Sequence, residues 1–230
     1  MKLQKETKAL SDHGKWYGDA CGTAFAMELV GERWSMLIIR ELMLGGRRFS
    51  DLRGSLPGIS AKVLTERLAG LEQAGVLTRR KLPPPAATQV YELTQWGYLA
   101  EPAIQELGRW AARSPSHDPT LPLSPVGFML STRTLLDKER ARAMTATIGY
   151  DLGGEQFVAR LKDGAMPVTR EAPDTAQVTF RAPTPMDVAA LFYGKMPPGE
   201  WEREAGRSID GDRVLARRFI DLFALPEKVA

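Results

Sequence analysis

The sequence predicts a mainly α first domain joined to an α+β second domain, and three observations carry that reading. Apolar residues recur at helical spacing in four segments before residue 114. The stretch SPSHDPTLPLSP (114–125) then holds four prolines and no apolar periodicity. Beyond it, β-prone strings are interspersed with helical ones. A chain of 230 residues has material for two domains of ordinary size. The expected division is therefore 1–113, a linker at 114–125, and 126–230.

In the first domain the helical segments are TAFAMELVGERWSMLIIRELM (23–43), FSDLRGSL (49–56), SAKVLTERLAGLEQAG (60–75) and TQWGYLAEPAIQELGRWAARS (94–114). Between the last two lies VLTRRKLPPPAATQVYELT (76–94), two short β-prone pieces around a proline-rich tip, which reads as a hairpin. Pro57 and Gly58 end the second helix, because proline disfavours helical geometry before it and glycine tolerates the left-handed conformation of a tight turn. Ser60 then caps the third helix. Short helix, turn, longer helix and basic hairpin follow in the order of a winged helix-turn-helix.

The third helix carries the chemistry of that arrangement. Leu64, Leu68 and Leu71 form an inward stripe at i, i+4 and i+7. The opposite face near the helix start, with Ser60, Ala61, Lys62, Thr65 and Glu66, is the one a recognition helix presents to base edges in the major groove. Ala61 permits close approach, while Lys62 and Thr65 are expected to donate hydrogen bonds. Arg67, Arg47 and Arg48 are the expected phosphate contacts. Arg79, Arg80 and Lys81 in the hairpin would anchor a wing along the backbone or in a minor groove. Taken singly, these pieces also fit an ordinary amphipathic helix and a solvated edge; their order and spacing favour the nucleic-acid reading.

The second domain opens with VGFMLSTRTLLDKERARAM (126–144), read as strand and then helix. TATIGYDL (145–152), EQFVARLKDG (155–164) and AQVTFRAP (176–183) read as strands, TPMDVAALFYGK (184–195) as a helix, and DRVLARRFIDLFALP (212–226) as the last helix. GGEQ (153–156) is a turn, and DGDR (210–213) caps the final helix. Phe128, Leu130, Phe157, Val158, Val178 and Phe180 are assigned to strands, and Leu191, Phe192, Phe219 and Phe223 to helices; they either line an apolar pocket or form the core.

Charge and composition narrow the function classes. Residues 1–113 carry 16 Lys and Arg against 12 Asp and Glu, a balance of +4, whereas 114–230 carry 15 against 16. The asymmetry fits a polyanion-binding first domain. A single cysteine, Cys21, excludes an intramolecular disulfide and a Cys-cluster zinc site. The polar start MKLQKETKALSDHGKW and the charge-interrupted apolar runs give no secretory leader and no bilayer span, so the expected location is the cytoplasm. His13 and His117 are the only imidazoles, and no nucleophile elbow, H-E-x-x-H or phosphate-cradling glycine loop occurs. Neither an enzyme nor a metal or organic cofactor is expected.

The run CGTAFAMELVGERWSMLIIRELMLGGRRFSDLRGSLPGISAKVLTERLAGLEQAGVLTRR, with the later YELTQWG, resembles the HxlR-type winged-helix regulators over roughly residues 17–112. The resemblance implies a homodimer on double-stranded DNA, paired through residues near Trp16 to Phe25 and Ala100 to Trp110, with two recognition helices on a near-palindromic site. Gly22 stands where the family usually has proline after the cysteine. Some members use that cysteine as a redox sensor, which makes Cys21 either a redox site or a buried structural thiol; no basic neighbour adjoins it in sequence. Residues 126–226, through AQVTFRAPTPMDVAALFYGK, GRSIDGDRVLARRFIDLF and EQFVARLKDG, more weakly resemble the sterol carrier protein type two-like domain. That resemblance implies a tunnel for an apolar effector. The alternative function class is a hydrophobic-ligand carrier or small-molecule enzyme whose winged helix makes protein contacts.

Overall fold

The computed structural model describes residues 17–84 and 87–229. His13, Trp16 and the wing-tip residues Pro85 and Ala86 lie outside the described residues. The chain forms two compact units, Met1–Ala100 and Glu101–Ala230. This structural division falls ahead of the proline-rich stretch at 114–125.

The first unit contains helices α1 (Gly22–Val30), α2 (Ser35–Leu42), α3 (Phe49–Ser55) and α4 (Ala61–Gln73), strands β1 (Leu77–Lys81) and β2 (Gln89–Leu93), and the short helix α5 (Gln95–Tyr98). The segment 23–43, expected as one helix, is two. Gly31 closes α1 by donating to the Met27 carbonyl at 2.8 Å, and Trp34 adopts a left-handed φ of 82° before α2 begins. Segment 94–114 also divides, into α5 and a helix starting at Glu101, where Pro102 sits in the first turn because it has no N–H to offer further along.

The helix-turn-helix forms as its residues dictate. Leu56, Pro57 and Gly58, at φ 92°, make the turn; Ile59 is buried beneath it, and the Ser60 hydroxyl accepts from the Val63 N–H at 3.2 Å. Leu64, Leu68 and Leu71 point inward at 0–1 % exposure, against an aliphatic core that includes Ile38, Ile39, Leu42 and Leu52. β1 and β2 pair antiparallel from Leu77↔Leu93 to Lys81↔Gln89. Gly97, from the YELTQWG string, is required by space: a Cβ there would lie 2.1 Å from the Val76 carbonyl oxygen. The Thr94 hydroxyl accepts from the Gly97 N–H at 3.0 Å and donates to the Gly75 carbonyl at 2.8 Å, tying the hairpin to the end of α4.

The second unit contains α6 (Glu101–Ala112), α7 (Pro125–Leu135), α8 (Lys138–Ala141), β3 (Ala146–Leu152), β4 (Glu155–Leu161), β5 (Val168–Thr169), β6 (Val178–Ala182), α9 (Pro185–Phe192), α10 (Pro198–Trp201), β7 (Ser208–Gly211) and α11 (Arg213–Ile220). The five strands order as β5-β4-β3-β6-β7; β3 and β6 run parallel and the other neighbours antiparallel. Gly153 and Gly154, both at positive φ, make the two-residue turn between β3 and β4. α6 is held beside α7 by the Glu101–Arg133 ion pair at 2.8 Å and by Arg109 donating to the Thr134 carbonyl at 2.6 Å.

Residues 126–135 are helical, not a strand. The Ser124 hydroxyl caps α7 by accepting from the Gly127 N–H at 2.9 Å and Pro125 occupies the first turn, a start signal that outweighs the β-prone Val126 and Phe128. Phe128 and Leu130 are therefore helix residues. The final helix also stops early, at Ile220, and Phe223 lies beyond it in a bridge to Leu136. Asp212 caps α11 through the N–H groups of Val214 and Leu215, as DGDR led one to expect.

Candidate nucleic-acid interface

The start of α4 combines small exposed side chains with an exposed cation. Ala61 is exposed, and the Lys62 side chain is 85 % exposed, with its ammonium 4.0 Å from Glu66. Thr65 is exposed as well, but its hydroxyl donates to the Ala61 carbonyl at 2.9 Å. Its proton is committed to the helix, so toward a base edge Thr65 is an acceptor rather than the donor the sequence suggested. Ser60 has its hydroxyl engaged as the cap.

The other expected contacts divide into exposed and engaged groups. Arg48 is exposed at the N-cap of α3, where its N–H donates to Asp51 at 3.2 Å. Arg47 is not available to a phosphate in the expected way. It is only 8 % exposed, its guanidinium donates to Ser55 at 3.1 Å, and its backbone exchanges hydrogen bonds of 2.9 and 2.8 Å with Tyr91. Those bonds add a bridge at the edge of the hairpin and make Arg47 a residue that positions the wing. Arg67, with 27 % of its side chain exposed, pairs with Glu32 at 3.1 Å.

The wing arginines have carboxylate partners that no motif revealed. Arg79 forms a two-pronged pair with Glu72 of α4, at 2.9 Å through Nε and 2.7 Å through Nη2. That hydrogen bond and the charge of Glu72 raise the Arg79 pKa further. Arg80 donates from Nε to Glu92 at 2.8 Å. Successive residues of a strand face opposite sides, so Arg79 and Lys81 share one face and Arg80 takes the other. Lys81 is exposed. Sequence reasoning also passed over Arg53, exposed on α3 directly after the buried Leu52, and Arg33, whose guanidinium lies 5.4 Å from the Trp34 ring.

Cys21 stands at the N-cap of α1 and is exposed, so it is not a buried thiol. The backbone N–H groups of Thr23 and then Ala24 hold its pKa below the ordinary value of 9.0. The influence missing from the sequence neighbours comes from the helix start instead.

In the second unit, Phe128, Leu130, Phe157, Val158, Val178, Phe180, Leu191, Phe192, Phe219 and Phe223 are all 0–4 % exposed. Phe192 sits 5.0 Å from Phe223, 5.1 Å from Phe180 and 5.8 Å from Phe128, ring to ring. The structure brings the aromatic members together as packed core. Clefts open elsewhere on this unit's surface, around Glu202 and Arg213 and around Arg133 and Asp163, and use none of these residues.

Residues 29–118 match the model of the HxlR-like helix-turn-helix family. The transcriptional regulator YodB of Bacillus subtilis (strain 168) is 41 % identical over 86 residues, which are 37 % of this chain and 77 % of YodB. The HTH-type transcriptional regulator YvaP of the same organism is 37 % identical over 86 residues, 37 % of this chain and 80 % of YvaP. Among solved structures, the reduced form of YodB aligns with 44 % of this chain and 100 % of its own at 36 % identity and a TM-score of 0.39. The quinone-bound YodB aligns with 39 % of this chain and 93 % of its own, at 37 % identity and a TM-score of 0.34. These relatives are named as regulators of transcription, not as enzymes, and among the described residues no helix is long and apolar enough to cross a membrane. Identity and coverage together show that this chain belongs to the HxlR-like helix-turn-helix family of transcriptional regulators.

Proposed function

We propose that this protein is a sequence-specific regulator that binds double-stranded DNA in the cytoplasm as a homodimer, reading bases with Lys62 and Thr65 while Arg48, Arg67, Arg79, Arg80 and Lys81 contact phosphates. The observation that carries the reading is the exposed start of α4, where Ala61, Lys62 and Thr65 stand outward over the buried Leu64–Leu68–Leu71 stripe. Exposed apolar side chains support self-association: Phe25 and Met27 on α1, and Leu107 and Trp110 on α6, the last 75 % exposed. Binding to a sequenced genomic fragment library at moderate salt is the test. Recovery of a two-fold symmetric motif establishes the regulator, and retention of random fragments alone refutes sequence-specific reading.

Control by oxidants or electrophiles through Cys21 is a second reading, favoured by the exposed thiol of lowered pKa at the start of α1. The solved relatives include YodB with a bound quinone and HypR in reduced and oxidised forms. Cys21→Ser would then abolish release of DNA by diamide or a quinone; unchanged release refutes it. The sterol-carrier resemblance adds an apolar effector in the second unit. Such a molecule would enter by parting rings now 5.0–6.4 Å apart.

A further inference from the structure

The candidate interface carries its own counter-charges. Arg79 is clamped by Glu72, Arg80 by Glu92, Arg67 by Glu32, and Lys62 has Glu66 one turn along. The two wing pairs are the tightest, and both arginines keep about half of their side-chain surface in water, 53 % and 54 %, within reach of a phosphate. Their partners come from different elements and opposite faces of the hairpin: Glu72 from α4 and Glu92 from β2.

We infer that Glu72 and Glu92 hold the wing arginines in competition with DNA phosphates and so set the sequence-independent part of the DNA affinity. The inference rests on the DNA-binding reading above. An arginine already paired with a carboxylate contributes little net charge to a polyanion. It also releases fewer counterions, because the salt-dependent, sequence-independent part of DNA affinity scales with the number of phosphates neutralised. Opening a wing pair costs the same on any duplex, so the preference of one site over another is left to the base contacts of α4. The carboxylates therefore act as a charge brake that lowers affinity for all DNA by a similar factor.

The test is fluorescence anisotropy with the full chain on a library-selected site and on a random duplex of equal length, across 50–200 mM salt. The variants are Glu72→Gln, Glu92→Gln and the double substitution; the amide keeps the shape and removes the charge. Glu204→Gln, exposed in the second unit, adds the same unit of net charge without freeing a wing arginine. The expected result is tighter binding to both duplexes by a similar factor. Each freed arginine should steepen the salt dependence by about one phosphate contact, roughly a threefold greater loss between 50 and 200 mM. Weaker or unchanged random binding in Glu72→Gln and Glu92→Gln overturns the inference, as does an equal gain in Glu204→Gln. Failure of the underlying reading looks different: the unsubstituted protein would then prefer no site over random duplex.

Discussion

The two units differ in how they place their aromatic side chains, Trp110 on α6 apart. The first packs an aliphatic core of isoleucines and leucines and leaves Tyr17, Trp96 and Leu99 49–72 % exposed; the second closes Trp201, Tyr150 and six phenylalanines away from solvent altogether. The difference separates roles. On the first unit the groups read as functional are water-facing and partnered by contacts that a phosphate can replace, so changing them should leave the fold intact. In the second unit the groups read as a ligand site are the material of the core, so changing them should unfold it.

Phe192→Ala tests the second half of that contrast and should have the largest effect. The ring is 0 % exposed and lies within 6.3 Å of five other rings. Loss of its burial and the cavity left behind should cost about 3–5 kcal/mol, measured by guanidinium unfolding. A loss below about 1 kcal/mol would mean that the ring lines open space, and would revive the effector pocket.

The same core makes a prediction about alkaline pH. Burial raises the Tyr150 pKa well above that of a free phenol, and the Tyr193 pKa likewise rises, opposed only by the hydrogen bond with Ser131 at 2.8 Å. Both tyrosines keep their protons in the folded state. Their contribution to stability is whole below the unfolded value near pH 10 and is lost as pH rises beyond it, because the unfolded chain then releases protons that the folded chain retains. Each should cost up to about 1.4 kcal/mol per pH unit above that point. Ultraviolet titration should show these two ionising only with unfolding. Ionisation of Tyr150 and Tyr193 without unfolding would remove the claim of a closed core.

On the first unit, stability should barely change while DNA binding does. Lys62→Ala and Thr65→Ala should reduce discrimination among sequences by roughly tenfold. Arg79→Ala and Arg80→Ala should weaken binding to all sequences and flatten its salt dependence, most of all where Glu72→Gln or Glu92→Gln has freed the arginine. Competition anisotropy on matched and mismatched sites distinguishes the two patterns. Equal losses on every duplex for all four variants would erase the division between base reading and backbone anchoring.

What was legible in the sequence follows the range of the interactions. The Leu64–Leu68–Leu71 stripe, the Pro57–Gly58 turn, the Gly153–Gly154 hairpin and the caps at Ser60 and Asp212 are all set within a few residues, and all stand where expected. The ion pairs Arg79–Glu72, seven positions from α4 to β1, and Arg80–Glu92, twelve positions across the hairpin, follow no spacing rule that announces them. Arg47 looked like an exposed cation because nothing local shows that Tyr91 and Ser55 will close around it. At 126–135 a local signal was present and outweighed in the reading: Ser124 and Pro125 mark a helix start ahead of residues whose propensity favours a strand.

The smallest expected effect lies at Cys21, where the first unit's surface has chemistry of its own. Its thiol is exposed, and the chief cause of its lowered pKa is the backbone N–H of Thr23, ahead of that of Ala24. Because donation to sulfur favours the thiolate, the rate of alkylation by a neutral reagent should reach half its maximum below pH 9.0, earlier than in an unstructured peptide of the same sequence. Thr23→Pro set beside Thr23→Val separates the backbone N–H from the Thr23 hydroxyl, which also lowers the pKa. Proline is tolerated in the first turn of a helix, and here it deletes the one N–H that matters most. The midpoint should then move back toward the peptide value while α1 persists by circular dichroism. An unmoved midpoint would assign the lowered pKa to groups other than the start of α1, and the redox reading of Cys21 would lose its structural basis.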